Sequence, residues 1–188
     1  LNWPLPLAAI QLLVLNLLTD GAPALALGME KGDPDTMELP PRPAGESIIN
    51  RDMIIGIAVQ TVAIPTAVLA AFWLGGPRVD ENHARTMAFA TLSISELLRA
   101  YTSRSERYSV FAIGIFTNKW MQYAVLLSLV ILLAIIYVPA LDPVFETTFL
   151  TAGDWLEMLP LILLPSIAAE VTKWFLRRSV RMRQALVA

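Results

Sequence analysis

Five stretches of this chain run for about 20 residues with little charge, the length a helix needs to cross a bilayer's hydrocarbon core. They cover residues 5–29, 53–74, 84–102, 120–138 and 155–176. In hydrocarbon each backbone N–H and C=O must be satisfied internally, so the pattern predicts an all-α membrane bundle of five transmembrane helices. The second and fourth segments, "MIIGIAVQTVAIPTAVLAAFWL" and "WMQYAVLLSLVILLAIIYV", have no interior charge. The third, "ARTMAFATLSISELLRAYT", is weakest in hydropathy, and its Glu96, Arg99 and small polar residues suit a helix that faces protein. Pro65, Pro160 and Pro165 fall within spans, where neighbours can satisfy the carbonyls they free. Charged residues are 16% of the 188, against about a quarter in soluble domains.

Basic residues orient the bundle. With the N-terminus outside, the inner segments hold Lys31, Arg42 and Arg51, then Arg99, Arg104, Arg107 and Lys119, then Lys173, Arg177, Arg178, Arg181 and Arg183. That is twelve of the fourteen Lys and Arg residues, leaving Arg78 and Arg85 outside, so the positive-inside rule selects this topology and a cytosolic C-terminus. Trp3, Trp73, Trp120, Trp155 and Trp174 lie near span ends, as interfacial anchors do. The start "LNWPLPLAAI" has neither an initiator Met nor a charged n-region, and the chain reads as the C-terminal part of a longer protein. With no cysteine, disulfides, thiolate zinc sites and cysteine nucleophiles are excluded, and the single His83 argues against histidine-rich metal sites.

Against this apolar background, "LLVLNLLTDGAPALALG" carries Asn16, Thr19 and Asp20. On an α-helix these three share a face. They offer an amide oxygen, a hydroxyl and a carboxylate, hard ligands suited to Ca²⁺, Mg²⁺, Na⁺ or K⁺. Pro23 has no N–H for the carbonyl of Thr19, and Gly21 eases local unwinding, which frees carbonyls as further ligands. The alternative is that Asn16 and Thr19 join helices by hydrogen bonds while Asp20 pairs with a base. Glu96 is the second acid candidate; Arg99, three residues on, is positioned to neutralise it, and Ser93 lies on the same face. Together Asp20 and Glu96 match a divalent cation, but Ca²⁺ takes six to eight oxygens, so other helices must contribute. Glu170 with Lys173 reads as an interfacial ion pair, and Asp33 and Asp35 as solvated loop acids.

The run "QLLVLNLLTDGAPALALGME" closely resembles the sixth transmembrane helix of P-type cation-transporting ATPases, above all calcium pumps of the sarco/endoplasmic-reticulum type and their bacterial relatives. "GDPDTMELPPR" resembles the cytosolic loop that follows, "TMAFATLSISELLRAYTSRSERYSVF" the eighth helix and its exit, and "TNKW" the start of the ninth. The resemblance covers nearly the whole chain and makes its spans helices six to ten. It implies an ATP-driven pump exporting Ca²⁺ from the cytosol across a cell membrane, as in bacteria, with proton counter-transport. It also implies metal ligation by Asn16, Thr19, Asp20 and Glu96. Arg99 departs from the animal pattern, where a neutral polar residue is expected, and its cation would weaken a site at Glu96. The phosphorylated Asp-Lys-Thr-Gly segment and the nucleotide domain are not in these residues, so ATP and Mg²⁺ would bind elsewhere in the polypeptide. The expected partners are helices one to five, the cytosolic domains and membrane lipid, not nucleic acid. The rival readings are a pump for Na⁺, K⁺ or Mn²⁺, and a stand-alone five-span channel or scaffold subunit.

Overall fold

The computed structural model describes residues 4–33, 36, 37, 49, 51–105 and 108–187, without the side chains of Asp20, Asp52 and residues 179–187. Trp3, Asp35, Arg42, Arg107 and the Pro-Pro-Arg loop lie outside the described residues, as do the side chains of Arg181 and Arg183. The regular elements among the described residues are all helical, with no strand. The first long element is composite: α1 (Ala9–Leu15), a π-helical turn (Asn16–Gly21) and α2 (Ala22–Gly28). Then follow α3 (Arg51–Leu74), α4 (Glu81–Thr102), the short α5 (Val110–Ile113), α6 (Lys119–Tyr137), the short α7 (Asp142–Phe145) and α8 (Ala152–Val187).

Four of these elements are long and apolar enough to cross a membrane: Ala9–Gly28, Met53–Leu74, Lys119–Tyr137 and Ala152–Arg178. The fold is thus a multi-pass membrane helix bundle. α4 does not meet that measure, and its packing explains why. It is the helix the others surround, contacting α3, α6, α8 and the π turn. Ala84, Ala88, Phe89, Ala90, Thr86 and Thr91 are fully buried along it. Small residues let neighbouring backbones approach closely where lipid supplies no hydrophobic drive to association. Several of its hydroxyls are used within the protein: Ser93 donates to the Phe89 carbonyl at 2.7 Å and Ser95 to the Ile162 carbonyl of α8 at 3.2 Å. A helix enclosed by protein does not need to be apolar all round.

The turn between α3 and α4 is equally close. A β-carbon on Gly75 would stand 2.5 Å from the Ala84 Cα, a contact only glycine avoids. Asp80 then caps α4 by accepting the His83 N–H at 3.0 Å. α3, α4 and α8 pack most extensively on one another, while α1–α2 leans on α6. The main core joins Leu15 and Leu18 to Met87 and Phe89 of α4, Leu132 and Ile136 of α6, and Met158 and Ile162 of α8.

Polar contacts fix both ends of the bundle. At one end the buried Gln11 donates to the Phe145 carbonyl at 3.0 Å, and Arg85 donates to the Leu5 carbonyl and pairs with Glu146 at 3.1 Å. His83 and Asp154 lie 3.3 Å apart at the same end. At the other end Glu30, just beyond α2, meets Arg104 after α4 and Asn118 before α6. The elements therefore run alternately up and down.

Candidate cation site

The composite first element sets the site's geometry. A π turn closes i→i+5 hydrogen bonds and inserts one extra residue, a feature concentrated at functional sites. Here it spans "NLLTDG", the polar run singled out above. The chain stays helical through it, so the expected unwinding takes this milder form. The extra residue rotates the following side chains relative to the preceding ones. Asn16 is exposed, whereas Thr19 is buried and donates to the Leu15 carbonyl at 2.7 Å. An α-helical register would place both on one face, and the π turn separates their surroundings. The Asp20 backbone belongs to the turn.

Pro23 opens α2 just after the π turn, so the carbonyl it leaves without an amide depends on which register is counted across that junction. In α geometry it is that of Thr19, as expected from spacing; with i→i+5 bonds it is that of Leu18. The Leu18 carbonyl accepts instead from the Ser128 hydroxyl of α6, at 2.7 Å.

Glu96 sits on α4, the helix that packs against the π turn, with its side chain 24% exposed. Arg99 Nη1 lies 3.7 Å from its carboxylate. Arg99 also lines a cavity of about 510 Å³ between α3, α4 and α8, with Gln60, Thr102 and Lys173 on its walls. Lys173 donates to the Thr102 carbonyl at 2.5 Å and pairs with Glu170 at 3.3 Å, capping α4 at its C-terminus as well as making the expected local pair. Among the described residues, no three His, Asp or Glu side chains gather as a metal site.

Below the π turn lies a cluster that sequence reasoning missed. Arg104, counted there only as an orienting charge, is buried with its side chain 1% exposed. Its Nε and Nη2 each donate to one Glu30 oxygen at 2.8 Å, and Nη1 donates to the Gly114 carbonyl at 2.8 Å. The Arg104 hydrogen bond lowers the Glu30 pKa below the usual carboxylate value; burial opposes this and the Asn118 hydrogen bond assists it. Asn118 caps α6 through the Met121 N–H at 3.1 Å and donates to the Ala26 carbonyl at 2.9 Å and to Glu30 at 2.7 Å. One clasp therefore joins the end of α2, the exit of α4 and the start of α6. Only the capping Asn118 had a local sequence signal.

The sequence has counterparts in known proteins. Residues 4–175 match the family described as "Cation transporting ATPase, C-terminus". The chain is 36% identical to a Bacillus cereus "Calcium-transporting ATPase 1" and 39% to a Bacillus subtilis "Calcium-transporting ATPase", with 92% and 88% of it aligned. It is 37% identical to a human "Calcium-transporting ATPase type 2C member 1" over 92% of its length. It belongs to the cation-transporting ATPase C-terminal family. It spans 21%, 19% and 19% of the length of these three relatives, about a fifth of each.

Proposed function

We propose that this chain is the cation-binding and translocating part of the membrane domain of an ATP-driven P-type pump that exports Ca²⁺ from the cytosol. The observation that carries this reading is the π turn at Asn16–Gly21, a helical irregularity inside an apolar element whose residues include Asn16, Thr19 and Asp20. An acid in such a segment is costly, and one kept there is functional by default. Asn16 is exposed between exposed Leu12, Leu13 and Leu17, an arrangement unsuited to lipid, so this side is completed by further helices of the same polypeptide. Asn16, Thr19 and Asp20 would then present oxygen ligands to the ion, and Glu96 would add a carboxylate from α4. ATP and Mg²⁺ would be handled by the cytosolic domains of the full-length protein.

α4 is the third of five spans, enclosed by the other four, with the start of α1 outside and the C-terminus cytosolic, in a multi-pass protein of a cell membrane such as the bacterial plasma membrane. Supporting this orientation, the end that holds Arg104, Lys119 and Lys173 is the basic one. Calcium is preferred over Na⁺, K⁺ or Mn²⁺ because the three relatives carry calcium transport in their names. Protons returning through Glu96 would compensate part of the exported charge.

A second reading concerns Glu96 alone: its ion pair with Arg99 favours a carboxylate neutralised by protein, leaving one ion site around Asp20. The test of the main reading is Asp20→Asn in the full-length protein, which should abolish Ca²⁺-dependent phosphorylation by ATP. Unchanged phosphorylation removes Asp20 from the site.

A further inference from the structure

We propose that Ser128, which no ligand motif includes, is a positioning residue for the cation site: its hydroxyl replaces the amide that Pro23 lacks and holds Asn16–Gly21 in π register. This rests on the calcium-site reading and extends it to a second helix. Ser128 lies midway along α6 and is 1% exposed, and Pro23 is also fully buried. Water is thus excluded as a partner for the Leu18 carbonyl, and an orphaned carbonyl there would carry its full desolvation cost.

The choice of partner is informative. Thr61, Thr66, Thr86, Ser93 and Thr172 all donate to the carbonyl four residues back in their own helix, the default for a hydroxyl in an apolar helix. Ser128, like Ser95, instead crosses to another helix, and it reaches the carbonyl whose i→i+5 amide would belong to Pro23. The Thr19 hydroxyl occupies the Leu15 carbonyl at the start of the same turn. Two hydroxyls therefore hold carbonyls, one just before the turn and one within it. The Leu18 carbonyl is withdrawn from the ion, and the ligand-bearing residues Thr19 and Asp20 follow directly on this held point. Without Ser128, the turn is free to relax toward α register, which rotates Thr19 and Asp20 relative to Asn16.

The experiment is a double-mutant cycle of Ser128→Ala and Pro23→Ala in the full-length protein. It reads the half-saturating Ca²⁺ for phosphorylation, the maximal phosphorylation, and hydrogen exchange of the peptide covering residues 16–24. Ser128→Ala is expected to raise half-saturating Ca²⁺ about ten-fold, the scale of one buried hydrogen bond, at unchanged maximal level and with faster exchange. Pro23→Ala supplies a backbone donor, so in that background Ser128→Ala should change half-saturating Ca²⁺ much less. Equal effects in both backgrounds overturn the proposal, as does faster exchange without any change in Ca²⁺ dependence. A wild-type protein that ignores Ca²⁺ defeats the calcium reading itself, whereas a responsive wild type with an unaltered Ser128→Ala defeats only this inference.

Discussion

Replacing Arg104 by Ala should open the clasp beneath the site, and the structure sets the size of the effect. The Arg104 side chain is 1% exposed and that of Glu30 13%, and they share two hydrogen bonds of 2.8 Å. Bidentate, charge-assisted pairs of this kind are the strong ones. Removing one partner of a buried pair costs about 3–5 kcal/mol, and the slight exposure of Glu30 puts this case near about 3. Much of that is the penalty of a stranded carboxylate, with Asn118 its remaining partner among the described contacts. The pair's own contribution comes from a cycle of Arg104→Ala, Glu30→Ala and the double variant, read as unfolding midpoints of the full-length protein in mixed detergent. A coupling of about 1.5 kcal/mol or more is expected, within the range for contacting residues. Strict additivity would refute the clasp. Acid supplies an independent arm. The Glu30 pKa is lowered by folding, so its stabilisation is complete above the ordinary value of 4.5 and is lost as pH falls through the folded pKa. Wild type should lose stability across that acidic window, and Glu30→Gln should remove this part of the pH dependence.

Three further outcomes follow from named contacts. Gly75→Ala forces a β-carbon against the Ala84 backbone, and overpacking of this type costs about 1–3 kcal/mol; an unchanged thermal midpoint would show that the α3–α4 turn is looser than described. Asn118→Ala removes the α6 cap and uncovers the Ala26 carbonyl, which should cost about 1–2 kcal/mol, whereas Asn118→Asp, which keeps the acceptor but sets a charge beside Glu30, should gain stability as Glu30 protonates. Glu96→Gln should change ion stoichiometry or the pH dependence of transport if Glu96 is a ligand. If Arg99 neutralises it, the change should appear in stability while Ca²⁺ affinity holds.

Much of the bundle was legible because hydrocarbon imposes length and apolarity on each span locally. The five segments fall on the composite first element, α3, α4, α6 and α8. The protein-facing character of α4 was legible too, since Thr86, Ser93 and Ser95 in an enclosed helix suit no lipid contact. The run proposed to bind the ion was visible as polar residues where lipid would reject them. Its register was not. Residues 16–21 can close either four- or five-residue turns, and the Leu18 carbonyl within the turn accepts from Ser128, far along the chain. The Glu30–Arg104 pair was hidden for the same reason: each residue is an ordinary interfacial charge until helix packing brings the two together.

The central claim is that Asp20 sits within an apolar element because a positive ion binds there. The direct measurement is a high-resolution map of the intact protein with Ca²⁺ and no nucleotide. The account predicts ion density about 2.3–2.6 Å from an Asp20 carboxylate oxygen, with other ligands drawn from Asn16 and neighbouring helices. An Asp20 carboxylate bonded to a fixed base such as Arg99, with no space for an ion beside it, would contradict it.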